Sequence, residues 1–147
     1  MNKSRILVID DNTHDTRIVK LILERTGLYE VRGLNEPAES LIVAREFKPD
    51  LVILDVNMPD VGGGDVAFMI RSDKEFERTP IVFLTSLISE REGQSRGVLV
   101  GGFHFVAKPP RVDRMVDCIE RNLEMAQAAN EHQPKGTAYE QKAHSGY

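Results

Sequence analysis

Three short runs of branched, apolar residues constrain the fold of this chain more than any other feature of its sequence. The runs are Ile6 to Ile9, Leu51 to Leu54 and Ile81 to Leu84. None of them alternates between apolar and polar residues, which is typical of β-strands that are buried on both faces. Such strands occur in parallel sheets that helices cover on both sides. The sequence therefore predicts an α/β fold.

Segments with helical periodicity lie between these runs and after them. The clearest one has apolar residues at the i, i+3, i+4, i+7 spacing of a single helix face, namely Val112, Met115, Val116, Ile119 and Leu123. Two weaker strand candidates, residues 29–34 and 103–107, complete an alternation of strands and helices. We therefore predict a doubly wound, five-stranded parallel sheet that is flanked by five helices and built with right-handed crossovers.

Local signals predict the ends of the fourth helix and of the folded domain. Ser89-Glu90-Arg91-Glu92 has the form of a capping box that opens a helix after the third apolar run. Gly101-Gly102 is interpreted as the end of that helix, because glycine commonly terminates helices. From residue 130 onward the chain is polar and without periodicity. We therefore expect a folded domain over residues 1–129 and a mobile tail over residues 130–147.

Composition and charge narrow the classes of function. A formal net charge of −4 and a pI near 5.6 argue against the basic surface that nucleic-acid binding needs. Cys118 is the single cysteine, which excludes an internal disulfide. No apolar stretch has the length of a signal peptide or a membrane span. We expect a cytoplasmic protein that binds neither nucleic acid nor membrane directly.

Polar residues stand directly after four of the predicted strands. They are Asp10 and Asp11 after the first strand, Asp55 after the second apolar run, Thr85 after the third, and Lys108 after residues 103–107. Doubly wound sheets bind their ligands at the carboxyl ends of the strands. Each residue alone has an ordinary structural role, such as a helix cap or a turn. Their placement at one edge of one sheet favours a shared site.

Three carboxylates at one edge of a sheet need protons, cationic partners or a metal ion. At a separation of about 5 Å they repel by about 3 kcal/mol per pair, for an effective dielectric constant of about 20. Oxygen ligands favour Mg²⁺, with Mn²⁺ as the alternative, over zinc or copper. Because Mg²⁺ also prefers phosphate oxygens, one carboxylate is a candidate nucleophile toward phosphorus. Lys108 would then neutralise one phosphoryl oxygen, and Thr85 would donate a hydrogen bond to another.

The segments that carry these residues resemble the successive signatures of response-regulator receiver domains, over about residues 4–125. They are Ile-Leu-Val-Ile-Asp10-Asp11-Asn, Leu-Val-Ile-Leu-Asp55-Val-Asn57-Met-Pro, Ile-Val-Phe-Leu-Thr85-Ser and Phe105-Val-Ala-Lys108-Pro. The resemblance implies a flavodoxin-like sheet with the strand order 2-1-3-4-5. It also implies that Asp55 is the phosphoacceptor. Asp10, Asp11 and Asp55 are the implied Mg²⁺ ligands, together with the main-chain carbonyl of Asn57.

The same resemblance implies a switch. Thr85 is the implied switch hydroxyl, Phe105 is the aromatic switch, and Lys108 contacts the phosphoryl group. The Lys108-Pro109 peptide bond resembles one that is cis in the family. Phosphorylation of Asp55 would therefore change the surface around the fourth helix, the fifth strand and the fifth helix.

The implied role is a phosphoryl-accepting switch of two-component signalling or of a phosphorelay. A histidine kinase or a histidine phosphotransfer protein would supply the phosphoryl group, and a downstream effector protein would bind the altered surface. Homodimerisation is left open. The chemistry would be self-directed phosphoryl transfer and autodephosphorylation, so we do not expect a conventional enzyme. Because no second domain follows residue 129, we expect the stand-alone type of receiver.

Two other functions remain as alternatives. A Mg²⁺-dependent phosphatase of the haloacid-dehalogenase kind also uses a strand-end aspartate. It needs a second carboxylate two residues later, where this chain has Asn57, and a cap insertion for which the chain has no spare length. A phosphorylation-independent interaction domain of the same fold is disfavoured, because every residue of the acceptor site is present.

Overall fold

The computed structural model describes residues 2–86, 98–100 and 103–131. Strands and helices alternate along residues 2–86, as the sequence predicted. The elements are β1 (Ser4–Ile9), α1 (Thr13–Arg25), β2 (Tyr29–Leu34), a 3₁₀ turn (Pro37–Glu39), α2 (Ser40–Phe47), β3 (Leu51–Asp55), α3 (Gly63–Arg71), β4 (Ile81–Thr85), β5 (Val98–Val100), β6 (Phe103–Ala107) and α4 (Val112–Glu131). None of these helices combines the length and the apolar character that a membrane span requires.

The sheet has the strand order β2-β1-β3-β4-β6-β5. Five neighbouring strands of this order, β2, β1, β3, β4 and β6, are parallel. Because β6 is the predicted fifth strand, this arrangement confirms the predicted order 2-1-3-4-5. A short edge strand, β5, is added antiparallel to β6. The interpretation of Gly101-Gly102 as a helix end is wrong, because the residues directly before this pair form β5. The sequence did not indicate β5 because three residues are too few to show a periodicity. Only two residues separate β5 from β6 in the chain, and strands that are so closely connected pair antiparallel.

Four α-helices lie in the described ranges, whereas five were predicted. The capping box that was predicted at Ser89-Glu92 falls within residues 87–97, outside the described residues. The last helix, α4, runs to Glu131, two residues past the predicted boundary at residue 129. Residues 132–147 lie outside the described part of the chain, so the division into domain and tail stays a prediction.

Two apolar layers cover the sheet, one on each face. Leu7 and Ile9 of β1 pack in the layer formed with α2 and α3. The alternate residues Ile6 and Val8 pack in the layer formed with α1 and α4. Successive side chains of a strand point to opposite faces, so each apolar run fills both layers at once. This is why the runs contain no polar residue.

The parallel register aligns the carboxyl ends of the strands. Ile9 of β1 pairs with Leu54 of β3, and Thr85 of β4 pairs with Ala107 of β6. Residues that directly follow these positions therefore emerge at the same edge of the sheet. The fold brings together there the last residues of β3 and β4 and the residues that follow β1 and β6.

Candidate functional site

The carboxylates of Asp10, Asp11 and Asp55 come together at the carboxyl edge of the sheet. One oxygen atom from each lies within 4.8 Å of the other two. Asp10 and Asp55 are buried, with 3% and 7% of their surface exposed, whereas Asp11 is open to solvent. The structure thus assembles the three acidic residues that the sequence predicted as a metal site.

Lys108 supplies a positive charge among these carboxylates. Its Nζ lies 2.8 Å from Asp10 Oδ2 and 3.5 Å from Asp55 Oδ1. It also donates a hydrogen bond to Asp15 Oδ2 at 3.0 Å. The Lys108 main-chain N–H donates to the carbonyl oxygen of Thr85 at 2.8 Å, which ties the segment after β6 to the end of β4. The Lys108-Pro109 peptide bond is cis, in agreement with the resemblance.

Burial and neighbouring charges shift the pKa values of Asp55 and Lys108. Burial raises the pKa of Asp55, repulsion from Asp10 adds to this rise, and Lys108 offsets part of it. Burial lowers the pKa of Lys108, but hydrogen bonds to Asp10 and Asp15 outweigh burial and raise the lysine pKa overall. Lys108 is therefore a persistent cation, and Asp55 ionises at a cost. A further cation or a proton would relieve that cost.

Two asparagines hold the loop that carries the acidic pair. The Asn12 N–H donates to Asp10 Oδ1 at 3.0 Å, and the Asn12 side chain accepts from the N–H groups of His14 and Asp15 as the N-cap of α1. Asn35 Nδ2 donates to the Asp10 carbonyl oxygen at 2.8 Å. The backbone and the carboxylate of Asp10 are therefore both fixed by hydrogen bonds.

The other predicted residues lie on neighbouring elements. The Asn57 N–H donates to Asp55 Oδ1 at 3.4 Å. Thr85 ends β4 and is buried, with 2% of its surface exposed. Phe105 stacks on Phe83, with ring centroids 5.1 Å apart and planes inclined by 22°. Asn57 thus contacts the acidic group directly, whereas Phe105 belongs to the aromatic packing behind the sheet edge.

Sequence reasoning missed three residues that shape the site: Asn12, Asp15 and Asn35. Asp15 did carry a signal, since it is an acidic residue in the first turn of a predicted helix, four positions after Asp11. Asn12 could also have been recognised as a helix N-cap. Asn35 carried no signal, because its contact with Asp10 joins residues 25 positions apart.

A cavity of about 380 Å³ opens beside Lys108, between α1 and the segment before α4. Asp15 and Lys108 belong both to the wall of this cavity and to the acidic site. The rest of the wall is mainly apolar and includes Ile18, Leu84 and Pro110. The site therefore has an apolar neighbour at its rim.

The family model of the response regulator receiver domain matches residues 6–120 of the chain. This chain belongs to the response-regulator receiver family. The receiver fold explains why the acidic group lies at the carboxyl edge of the sheet, where doubly wound folds bind ligands. The chain is thus a receiver domain of two-component signal transduction.

Two curated relatives show how much of the chain this similarity covers. The receiver is 28% identical over 124 residues to the polar-differentiation response regulator DivK of Brucella ovis, which covers 84% of this chain and 98% of DivK. It is 29% identical over 125 residues to protein RcaC of Microchaete diplosiphon, which covers 85% of this chain. The receiver spans only 19% of the length of RcaC.

Solved receiver structures share the fold. The chemotaxis protein CheY4 of Vibrio cholerae matches with a TM-score of 0.69 and 28% identity, over 82% of this receiver and 98% of that chain. The receiver domain of the sensor histidine kinase PA1611 from Pseudomonas aeruginosa matches with a TM-score of 0.69 and 21% identity, over 84% and 99% of the two chains. That second structure holds a magnesium ion in its active-site cleft.

Proposed function

We propose that Asp55 is the phosphoryl acceptor of this receiver. The observation that carries the proposal is the position of its carboxylate, which is buried beside Asp10 and lies 3.5 Å from the Lys108 ammonium. A carboxylate in such a site is a suitable nucleophile once its charge is balanced. Lys108 would offset the charge of an incoming phosphoryl group.

Asp10, Asp11 and Asp55 are the residues that would hold a divalent cation, together with the main-chain carbonyl of Asn57. The donor set fits Mg²⁺, because it consists of carboxylate oxygens within 4.8 Å of one another and carries more negative charge than Lys108 balances. Mn²⁺ takes similar oxygen ligands and is an alternative. When bound, the cation would supply charge neutralisation at the phosphoryl oxygens. The magnesium ion in the PA1611 receiver supports this assignment.

The transfer step exchanges one bond to phosphorus for another. An Asp55 carboxylate oxygen forms a P–O bond while the P–N bond of a phosphohistidine breaks, and the released imidazole takes up a proton. The hydroxyl of Thr85 and the ammonium of Lys108 would bind nonbridging oxygens of the transferred group. The protein in this way modifies its own side chain and does not turn over a small-molecule substrate. Hydrolysis of the acyl phosphate by water would restore the free carboxylate.

The switch would connect this charge change to the protein surface. Phosphorylation replaces a carboxylate of charge −1 by an acyl phosphate of charge about −2, so it adds about one negative charge, and it brings strong hydrogen-bond acceptors beside Thr85. A movement of Thr85 toward the phosphoryl group would change the packing at the end of β4, where Phe105 stacks on Phe83. Phe105 would then reorient, and the edge of the sheet formed by β5 and β6 would change shape.

The proposed donor of the phosphoryl group is a histidine kinase or a histidine phosphotransfer protein. The proposed partner that binds the phosphorylated surface is an effector protein. The apolar cavity next to Lys108 supports protein docking at the rim of the acidic site, because it offers apolar surface beside Asp15 and Lys108. The net charge of −4 argues against direct nucleic-acid binding. A cytoplasmic location stays part of the proposal, which leaves homodimerisation open.

Incubation with acetyl phosphate and Mg²⁺, followed by intact mass measurement, tests the proposal. We expect the wild-type chain to gain one phosphoryl group, and we expect Asp55→Asn and a chelator-treated sample to gain none. Wild type that stays unmodified with acetyl phosphate and also with a phosphorylated histidine phosphotransfer protein would favour the phosphorylation-independent interaction domain. Sustained hydrolysis of a phosphate ester that requires Asp55 would favour the phosphatase.

A further inference from the structure

Asp15 is a fourth carboxylate at the rim of the site, and it contacts Lys108 directly. The Lys108 ammonium donates to Asp10 Oδ2 at 2.8 Å and to Asp15 Oδ2 at 3.0 Å, whereas Asp55 Oδ1 lies at 3.5 Å. The two shortest contacts of the ammonium are therefore with residues on either side of the α1 N-cap. The proposed acceptor, Asp55, comes third.

The backbone fixes Asp15 in place. Its N–H donates to Asn12 Oδ1 at 3.2 Å, in the first turn of α1. The helix itself is anchored in the core through Val19 and Leu23, which are buried. The backbone of Asp15 therefore stays in place if Lys108 turns toward Asp55, and only a rotation of the Asp15 side chain would keep the ion pair at its present length.

We propose that Asp15 is a positioning residue that restrains Lys108 and competes with the phosphoryl group on Asp55 for the hydrogen bonds of the lysine. An ammonium group has three protons to donate, and Asp10 and Asp15 occupy two of them. A phosphoryl oxygen must either take the third proton in a direction that these two contacts leave open, or displace Asp15 from the lysine. The inference rests on the proposed role of Asp55, and it predicts that Asp15 weakens the phosphorylated form.

The substitution Asp15→Asn tests this competition, because it keeps the size and one oxygen of the side chain but removes its charge. Beryllium fluoride, an analogue of the phosphoryl group, is titrated at saturating Mg²⁺ by isothermal calorimetry. We expect Asp15→Asn to bind it about three- to tenfold more tightly than wild type. We also expect faster labelling by acetyl phosphate and a shifted ¹⁵N resonance of the Lys108 ammonium in the metal-free protein.

Asp117→Asn is the matched control. It removes an exposed helical carboxylate that pairs with Arg121 at 2.9 Å, and thus changes the net charge equally without touching the site. We expect it to bind beryllium fluoride as wild type does. An equal gain in both variants would mean that the effect is one of net charge and would overturn the role of Asp15.

The outcomes separate this inference from the proposed function. If wild type binds beryllium fluoride and Asp15→Asn binds it equally or more weakly, the competition does not exist and the inference alone fails. An unmoved Lys108 resonance in Asp15→Asn would also overturn it. If wild type neither binds beryllium fluoride nor accepts phosphate from acetyl phosphate or a phosphohistidine donor, the proposed function fails, and the inference fails with it.

Discussion

Gly63 lies so close to Asp55 that a side chain at position 63 would overlap the Asp55 backbone. A Cβ atom on Gly63 would collide with the carbonyl oxygen of Asp55 and would lie 2.8 Å from the Cα of Val56. The Gly63 N–H donates to the Val56 carbonyl oxygen at 3.1 Å, so α3 begins directly on the segment that follows β3. Glycine permits this approach, which fixes the end of β3 against a helix.

The first prediction concerns this approach. We expect Gly63→Ala to lower the free energy of unfolding by about 2 kcal/mol, because the overlap must be relieved by backbone movement. Gly64→Ala is the control, since a Cβ there meets no atom within 4 Å and alanine suits a helix better than glycine does. Urea unfolding followed by circular dichroism compares the two variants. Equal midpoints would contradict the packing argument.

The second prediction is that Asp55→Asn makes the metal-free protein more stable at neutral pH, by about 1 kcal/mol. Burial and Asp10 raise the pKa of Asp55 in the folded state, so folding is penalised when the carboxylate is ionised. The difference in the free energy of unfolding between Asp55→Asn and wild type should reach its full size at pH values above the pKa of Asp55 in the folded protein. It should vanish below the ordinary pKa of 3.8, where Asp55 is protonated in both the folded and the unfolded protein. Urea unfolding in the presence of a chelator, measured from below pH 3.8 to neutral pH, checks the prediction. It is refuted if Asp55→Asn is less stable than wild type at pH 7.

The third prediction concerns the cap of α1. Asn12→Ala removes the side-chain acceptor of two main-chain N–H groups, those of His14 and Asp15. We expect a loss of about 1 kcal/mol in the free energy of unfolding. Asn12→Ser, which can also cap a helix, should recover most of it. If Asn12→Ser and Asn12→Ala have the same melting temperature, the lost cap does not account for the loss of stability.

The fourth prediction concerns the reactivity of Cys118. Burial raises the pKa of its thiol to about 11, and the neighbouring Asp117 adds to the rise. Because the thiolate is the reactive form, iodoacetamide should alkylate the folded protein slowly at pH 8 and the urea-unfolded protein much faster. Intact mass against time measures both rates. Rapid alkylation of the folded protein would show that the thiol is accessible.

Much of the fold could be predicted because a parallel sheet that is covered on both faces needs strands without polar residues. The apolar runs of β1, β3 and β4 meet that need and could be located from sequence. The short strand β5 could not, because its pairing with β6 depends on contacts at the edge of the sheet and not on periodicity. The 3₁₀ turn at Pro37–Glu39, which precedes α2, is likewise a local detail that the proline alone does not define.

The sequence by itself determined which residues stand at the strand ends, because each apolar run stops directly before a polar residue, such as Asp10 after β1 and Asp55 as the last residue of β3. Only the tertiary structure decided how these residues are connected. Lys108 reaches Asp15 across 93 positions of the chain and bonds to it at a shorter distance than to Asp55. That preference depends on how α1 and the segment after β6 pack against the same edge of the sheet. Local sequence patterns carry no record of packing between such distant segments.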